Sequence, residues 1–276
     1  QQGISKKLLA KIKFDGGQLL VNGIRENAIF KLAKNDQVIV DIPSEHATPT
    51  LVQQEMTLTI VYEDDHLLVI DKPAGIASVT GQNYPDKTMS NFVAGYLKAQ
   101  GYDNQKVHVV TRLDKDTSGL MLFAKHGYAH SRMDKLLQQK GLTKRYYALV
   151  HTSTQLLAAG EIKVPIGRKD GSIIERAVVD QQHPTAKYAH TSYQTVASHA
   201  QFTLVDIQLH TGRTHQIRVH FAYLGAPLLG DDLYGGSRDQ ILRQALHCHT
   251  LSFCHPFSGE LINLEASLPK DMARLL

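Results

Sequence analysis

The chain has 276 residues, of which 42% are hydrophobic and 20% are charged, with 30 Lys and Arg against 26 Asp and Glu. This composition is typical of a globular protein and excludes a disordered chain. No apolar run reaches the roughly 18 residues of a membrane span, no segment resembles a signal peptide, and two cysteines are too few for a disulfide framework. We therefore expect a cytoplasmic protein without a membrane partner.

The charge is unevenly distributed along the chain. Residues 1–40 contain seven Lys and Arg against three Asp and Glu, so they carry the whole formal charge of +4. A basic terminal segment of this kind is typical of contact with an anionic partner, but a solvated helix face has the same composition. Charge alone leaves both interpretations open.

Residues 1–42 predict a small module in which one helix precedes a hairpin. Apolar residues recur at helical spacing from Ile4 to Ile12, and Gly16 can end that helix. Strands are predicted at 18–21 and 37–42, with Asn22-Gly23 as a tight turn. Residues 43–56, rich in Pro, Ser and Thr, are interpreted as a linker to a second domain at 57–276.

The second domain is predicted to contain more strands than helices. Helices are expected at 88–100, 130–139 and 214–224, and a hairpin tip at 167–171. Strands are expected at 59–61, 67–70, 107–110, 120–124, 146–150 and 202–209. Because strands and helices do not alternate regularly, this order favours an α+β fold over a doubly wound one.

The densest polar segment is Thr111-Arg-Leu-Asp114-Lys-Asp116-Thr-Ser118-Gly119, between two apolar strands. Its acidic residues match the start of a calcium loop, but Lys125 stands where the loop needs a bidentate Glu, so calcium is excluded. Two interpretations remain open from these residues alone. Asp114 and Asp116 have the spacing of an aspartyl phosphotransferase, and they could equally cap a turn.

The same segment resembles the catalytic loop of the RluA family of RNA pseudouridine synthases, through Arg112-Leu-Asp114 and Thr117-Ser118-Gly119. The family usually has His before this Arg, where the chain has Thr111. Several ordered motifs are more specific than one. The further matching segments, in order, are Lys72-Pro-Ala-Gly75, Lys144-Arg-Tyr146-Tyr-Ala148, Thr211-Gly-Arg213-Thr-His-Gln-Ile-Arg218-Val-His220 and Gly225-Ala-Pro-Leu-Leu-Gly230-Asp231.

This resemblance implies a pseudouridine synthase fold, with a bent mixed, mainly antiparallel sheet, and isomerisation of uridine in ribosomal or transfer RNA without cofactor or metal. Asp114 is then the catalytic carboxylate, which forms an adduct or assists elimination from the ribose. Arg218 pairs with it and keeps it ionised, because a guanidinium binds a carboxylate through two bonds. Tyr146 stacks on the target uracil.

The resemblance also implies which residues hold the RNA. Arg112 is expected to fill the space left by the flipped base or to clamp a phosphate. The other expected substrate-binding residues are Lys72, Lys144, Arg213 and Ile217, and for Lys72 and Arg213 a structural supporting role is an equal alternative. The amino-terminal module resembles an S4-like RNA-binding domain through Gly3-Ile-Ser-Lys-Lys-Leu and Val21-Asn22-Gly23, with expected RNA contacts at Lys6, Lys7, Lys11, Lys13 and Arg25.

Clusters of histidine and cysteine raise the possibility of a metal site. His210, His215 and His220 are spaced by five residues, which turns successive side chains to different faces of a helix. Cys248 and Cys254 are spaced more widely than the ligands of common zinc sites. We expect no metal, no obligate protein partner and a monomer; the alternative to an enzyme is a non-catalytic RNA-binding protein on the same fold.

Overall fold

The computed structural model describes residues 4–152 and 156–276, so Gly3 of the S4-like motif lies outside them. The first element is helix α1 (Lys6–Phe14), whose start is capped by Ser5. Strands β1 (Gln18–Val21), β2 (Ile24–Glu26) and β3 (Val38–Asp41) follow as a sheet with the order β2-β1-β3. The predicted helix and two strands are present; β2, only three residues long, is an addition.

The segment from residue 42 to residue 59 contains no helix or strand, but it is anchored to the large domain. The Glu45 carboxylate accepts a hydrogen bond from the backbone N–H of Gly127 at 2.6 Å and contacts His108 Nε2 at 2.9 Å. The hydrogen bond with His108 lowers the pKa of Glu45 to about 2. Lys11 Nζ lies 3.7 Å from the same carboxylate, so Glu45 joins α1 to the large domain.

The large domain is built on a ten-stranded mixed sheet. Its strands are β4 (Ile60–Glu63), β5 (Leu67–Lys72), β6 (His108–Val109), β7 (Ser118–Ala124), β8 (Leu142–His151), β9 (Ala159–Ile162), β12 (Thr191–Ser198), β13 (Phe202–Leu209), β14 (Leu246–Cys254) and β15 (Leu261–Glu265). The order is β4-β5-β7-β14-β8-β13-β12-β9, with β6 on β7 and β15 on β14. A separate hairpin pairs β10 (Ile166–Arg168) with β11 (Arg176–Val178).

Few helices accompany this sheet. They are α2 (Met89–Ala99), α3 (Gly127–Gln138), α4 (Gln216–Tyr223), α5 (Lys270–Ala273) and a short 3₁₀ helix (Asp232–Tyr234). Among the described strands of the large sheet, β7 and β14 pair in parallel and the other pairs are antiparallel. The prediction of an α+β fold with a mixed, mainly antiparallel sheet is confirmed. No helix in the described ranges is long and apolar enough to cross a bilayer.

The core of the domain lies around β5 and β7. Residues 67–70 and 120–124 are at most 1% exposed, which agrees with their uninterrupted apolar sequence, since such runs are typical of strands covered on both faces. Lys72 at the end of β5 lies opposite Gly119 near the start of β7. The polar segment before β7 therefore emerges at one fixed edge of the core.

Several strands were absent from the sequence prediction. β8 begins at Leu142 rather than at the predicted 146. The prediction began late because the Lys and Arg near the start of the strand interrupt the apolar pattern. β14 was not predicted, although it lies between β7 and β8. Its sequence LHCHTLSFC alternates poorly and contains two histidines. The short strands β9 and β15 and the eight-residue strand β12 were also missed, whereas the hairpin predicted with its tip at 167–171 is present as β10 and β11, joined by residues 169–175.

Candidate active site

The loop that precedes β7, residues 110–117, is called the aspartate loop and is fixed from several sides. The Thr111 hydroxyl accepts a hydrogen bond from the Leu122 backbone N–H at 3.0 Å, so this buried Thr satisfies a donor of β7. The Ser78 hydroxyl accepts from the Leu113 N–H at 3.0 Å and donates to the Leu113 carbonyl. Asp114, next along, is consequently held on a rigid backbone.

Lys72 anchors the far end of the aspartate loop. Its side chain is fully buried, and its ammonium group donates to the carbonyls of Pro73 at 2.8 Å, Ile76 at 2.7 Å and Lys115 at 2.9 Å. Burial lowers the pKa of Lys72 to about 7. The structure thus places Lys72 beneath the loop, with its donors occupied by carbonyls of the protein.

Arg218 on α4 lies between two carboxylates. Its Nε and Nη2 atoms each donate to Asp231 at 2.7 Å, whereas Nη1 lies 3.5 Å from Asp114 Oδ2. Both Arg218 and Asp231 are buried, and Asp114 is partly exposed. The guanidinium therefore forms its bidentate pair with Asp231, and only its third nitrogen faces Asp114.

The turn before α4 brings His215 to the same carboxylate. Gln216 holds the turn, because its side-chain oxygen accepts from the Arg213 N–H at 3.0 Å and its amide donates to the His190 carbonyl at 3.0 Å. His215 Nε2 lies 3.9 Å from Asp114 Oδ2. The contacts of Arg218 and His215 with Asp114 are made by Oδ2, and within the described residues no hydrogen bond reaches Oδ1, so Oδ1 is the oxygen available to a substrate.

Tyr146 and Lys144 lie on the same face of β8, because side chains two residues apart in a strand point the same way. Tyr146 is 4% exposed and opposite Cys248 of β14. Burial raises the pKa of Tyr146 well above 10 and lowers the pKa of Lys144. The Tyr146 phenol therefore keeps its proton at neutral pH.

These elements enclose a cleft of about 470 Å³. Its wall includes an apolar part, formed by Leu137, Leu209 and Ile217, and the phenol ring of Tyr146. Its charged lining consists of Asp114 and five cations: Arg112, Lys115, Lys144, Arg213 and Arg218. A cleft with this excess of cations around one carboxylate suits a polyanionic ligand that presents an uncharged ring to the apolar wall.

Comparison with known proteins identifies the family. Residues 66–223 match the family model of RNA pseudouridylate synthases. The chain is 44% identical, over 99% of its length and 95% of the relative, to the uncharacterized RNA pseudouridine synthase YjbO of Bacillus subtilis (strain 168). It is 37% identical to the ribosomal large subunit pseudouridine synthase D of Xanthomonas campestris pv. campestris, over 87% of this chain and 73% of that protein. The chain belongs to the RNA pseudouridylate synthase family.

A solved structure agrees with this assignment. The human RNA pseudouridylate synthase domain containing 4 superposes with a TM-score of 0.63 at 26% identity, over 78% of this chain and 90% of that one. The protein is accordingly an RNA pseudouridine synthase, an enzyme that isomerises uridine in RNA. The cleft around Asp114 lies largely within the matched residues.

The structure brings most of the expected pseudouridine synthase site residues together. Seven of them line the cleft: Asp114, Tyr146, Arg218, Arg112, Lys144, Arg213 and Ile217. Arg112 is exposed there, while Arg213 donates from Nε to the Tyr188 carbonyl at 2.9 Å. Lys72, expected to bind substrate, lies outside the cleft because its buried ammonium is directed at three backbone carbonyls.

The expected RNA contacts of the amino-terminal module lie apart from the cleft. Lys6, Lys7, Lys13 and Arg25 are exposed on that module. Lys11 is half-buried and faces Glu45. Lys7 and Lys11 line a crevice shared with Gly127 and Tyr128 of the large domain, whereas Lys6, Lys13 and Arg25 lie outside this crevice.

Sequence reasoning gave no role in the site to three residues around Asp114 and Arg218: His215, which contacts Asp114, Asp231, which pairs with Arg218, and Tyr234 of the 3₁₀ helix, which contacts His215. Asp231 was noted as part of a motif, but no role was given to it. A buried Asp must have a charged or hydrogen-bonding partner. The position of Asp231 after an apolar stretch of sequence was therefore a usable signal that this residue is buried and paired. The contacts of His215 and Tyr234 depend on a fold that only the tertiary structure shows.

The histidines that raised the metal question have separate partners. His210 Nε2 contacts Ser192 at 2.9 Å, His215 Nδ1 contacts Tyr234 at 2.8 Å, and His220 Nδ1 contacts Thr191 at 2.9 Å. Within residues 4–152 and 156–276, no group of three or more His, Cys, Asp or Glu side chains is arranged to hold a metal ion.

Proposed function

We propose that Asp114 is the nucleophile that acts on a uridine flipped out of structured RNA into the cleft. In the reaction the bond between C1′ and N1 breaks, the uracil turns, and a bond between C1′ and C5 forms. The hydrogen at C5 leaves as a proton and N1 gains a proton, so the product is an isomer. The observation that carries the proposal is Asp114 Oδ2 facing Arg218 and His215 while Oδ1 remains open in a cationic cleft.

Tyr146 and Ile217 are proposed to hold the uracil. An extruded base loses its stacking neighbours, and an aromatic face replaces them with about 1–3 kcal/mol per base. Burial raises the pKa of Tyr146, so its hydroxyl carries its proton in the resting enzyme. Stacking on the uracil is the role we assign to this residue.

Arg112, Lys144 and Arg213 are proposed to bind the RNA around the flipped nucleotide. Arg112 is exposed at the cleft, two residues before Asp114, where it can occupy the gap left in the helix or bind an adjacent phosphate. Lys72 is proposed to stabilise the aspartate loop through its hydrogen bond to the Lys115 carbonyl. This is a structural role, and it replaces the binding of a phosphate.

The amino-terminal residues 1–42 are proposed to form an S4-like RNA-binding module, joined through 43–56 to a catalytic domain at 57–276. The support is its helix and three-stranded sheet, its excess of positive charge and the exposed lysines of α1.

Ribosomal RNA is the proposed substrate of the enzyme. The support for this proposal is that several relatives carry the name ribosomal large subunit pseudouridine synthase D.

The first experiment uses RNA labelled with tritium at C5 of uridine. Asp114→Asn is expected to release no tritium above background while binding RNA with a Kd close to that of the wild type. Asp116→Asn is the matched control, since Asp116 is two residues away and does not line the cleft. Tritium release by Asp114→Asn at the wild-type rate would remove Asp114 from catalysis, and it would favour a non-catalytic role for this cleft.

The target uridine is identified by mapping pseudouridines in total RNA from cells with and without the gene. We expect one or a few sites in ribosomal RNA to be lost on deletion and restored by the wild-type gene but not by Asp114→Asn. Loss of sites in transfer RNA alone would overturn the ribosomal assignment and leave the enzymatic activity intact.

A further inference from the structure

His215 has an unusual backbone conformation directly beside the proposed nucleophile. Its φ of 57° and ψ of 20° lie in the left-handed region, immediately before α4. A residue other than Gly in this region costs about 1 kcal/mol or more and persists only where its surroundings fix it. Here Gln216 fixes the turn, since it is 2% exposed and hydrogen-bonded on both sides of its amide.

The hydrogen bonds of the Tyr234 hydroxyl favour one of the two tautomers of His215. A backbone N–H can only donate, so the hydroxyl accepts from the Arg176 N–H at 3.0 Å. The hydroxyl proton is then free to be donated to His215 Nδ1, at 2.8 Å. A neutral imidazole that accepts at Nδ1 carries its proton on Nε2.

The Nε2 atom faces the nucleophile. It lies 3.9 Å from Asp114 Oδ2, the same oxygen that faces Arg218. A bare lone pair on Nε2 would repel a carboxylate, whereas an Nε2–H would attract it. A movement of about 1 Å brings this distance into the range of a hydrogen bond, and catalytic hydrogen bonds are often long before substrate binds.

We propose that His215, held in its Nε2–H tautomer by Tyr234, is a positioning residue that orients Asp114 through Oδ2 and leaves Oδ1 for the ribose. This inference rests on the proposed role of Asp114. A neutral donor orients the carboxylate without adding a second full positive charge, which would weaken its nucleophilicity. Arg218 can fulfil only part of this role because two of its nitrogens bind Asp231.

The surroundings favour the neutral states that this arrangement needs. Burial lowers the pKa of His215, and burial raises the pKa of Tyr234. The groups that face His215 are Asp114 of the aspartate loop, Arg218 of α4, Asp231 and Tyr234 around the 3₁₀ helix, and Arg176 of β11. Acidification converts His215 into an imidazolium beside Asp114, so activity is expected to fall below the lowered pKa of His215.

Tyr234→Phe tests the hydrogen bond itself. Phe keeps an aromatic ring over the Arg218 guanidinium, which lies 4.9 Å from the ring centroid, and removes only the hydroxyl. A donor to Nδ1 stabilises neutral imidazole, so its loss should raise the pKa of His215. The single-turnover rate at saturating RNA is expected to fall at low pH, which is the acid limb of the pH profile. In Tyr234→Phe we expect this acid limb to move to higher pH. Tyr223→Phe, at the exposed end of α4, is the matched control and should leave the limb unchanged.

Two substitutions of His215 separate positioning from folding. Asn tolerates left-handed backbone but is too short to reach Asp114, and His215→Asn should lower the rate about a hundredfold with RNA affinity nearly unchanged. His215→Gln places an amide N–H near the Nε2 position and cannot be protonated. We expect the rate of His215→Gln to be about tenfold higher than that of His215→Asn. The fall in rate at low pH that is caused by protonation of His215 should be absent in His215→Gln.

A measurement without RNA tests the tautomer. Nitrogen-15 chemical shifts of labelled wild-type protein, with the His215 signals identified by their absence in His215→Asn, should show Nε2 protonated and Nδ1 bare. A proton on Nδ1, or an acid limb equally placed in wild type and Tyr234→Phe, would overturn the positioning role. An active Asp114→Asn would instead overturn the proposed nucleophile, and that outcome is distinguishable because the tautomer does not depend on it.

Discussion

At the scale of single residues, the partner of Arg218 decides the electrostatics of the site. A buried guanidinium needs a carboxylate, and the two 2.7 Å bonds to Asp231 supply it. Asp114 is left with a longer contact of 3.5 Å and keeps about a third of its side-chain surface exposed. The proposed nucleophile is therefore near a positive charge that another carboxylate has already neutralised.

We predict that Asp231→Asn both destabilises the protein and slows the reaction. Removing one partner of a buried ion pair costs about 3–5 kcal/mol, and the freed Arg218 would form its bidentate pair with Asp114 instead. Urea denaturation and single-turnover tritium release measure the two effects.

The neighbouring Asp232→Asn is the control for this prediction. Asp232 is exposed and pairs with Arg238 on the surface at 3.1 Å, where an ion pair contributes at most about 1 kcal/mol. Equal loss of stability in the two variants would contradict the structural importance of the buried pair.

At the scale of elements, the parallel pairing of β7 with β14 fixes the start of β7 behind the aspartate loop. Gly119 has a φ of 111°, and a Cβ atom there would lie 2.2 Å from the Cys248 carbonyl oxygen. Only Gly allows the two backbones to approach so closely while the chain turns out of the loop. The close packing against β14 therefore explains why Gly is needed at the end of the Thr117-Ser118-Gly119 motif, independently of the resemblance of the motif to a family.

We predict that Gly119→Ala loses at least about 3 kcal/mol of stability, because the left-handed strain adds to a clash with backbone that cannot move without opening β14. Gly171→Ala is the control. Gly171 has a φ of 74° at the exposed hairpin tip, and a Cβ atom there would have no neighbouring atom within 4 Å, so this variant suffers the strain alone. Thermal unfolding of both variants checks the difference, and equal melting temperatures would refute the packing argument.

The sequence predicted the fold where one physical signal was enough. Apolar runs identified β5 and β7, and the polar segment between apolar strands identified the aspartate loop. β14 was missed because its His and Cys side chains are satisfied by partners from distant segments, such as Ser118 for His247 at 3.0 Å. Lys72 was a candidate for binding phosphate or for supporting the site because it lies in a motif of the resembled family, and the fold buries its ammonium among carbonyls.

At the scale of the whole molecule, the nearly balanced charge of the large domain, 23 Lys and Arg against 20 Asp and Glu in residues 57–276, conceals a strong local asymmetry. The cleft gathers five cations around one carboxylate, while acidic residues such as Glu45, Glu63 and Asp206 pair with bases elsewhere. A domain of small net charge can thus present a cationic face to RNA. The exposed lysines of α1, which are Lys6, Lys7 and Lys13, form a second cationic surface outside the cleft.

We predict that these two surfaces contribute separately to binding and to chemistry. Replacing Lys6, Lys7 and Lys13 with Gln should weaken RNA binding and reduce the slope of log K against log salt by about 0.7–0.9 for each lost phosphate contact. The single-turnover rate at saturating RNA should not change. Titrations at several salt concentrations measure the slope.

The control removes the same charge from exposed lysines outside the module: Lys98, Lys135 and Lys270. Their replacement by Gln should leave the slope close to that of the wild type. A slope that is equally reduced in both triple variants would show that net charge, rather than the position of the module, determines the affinity.

The position of β14 also constrains when the enzyme can become active during its synthesis. β14 lies between β7 and β8, yet about a hundred residues of chain separate it from either strand. At roughly 5–20 residues per second, the ribosome completes β7 and β8 several seconds before β14 emerges. Until then β7 and β8 have unpaired edges and the aspartate loop lacks its backing strand. We therefore expect a nascent chain to be inactive toward RNA near its own ribosome until β14 has been translated and inserted.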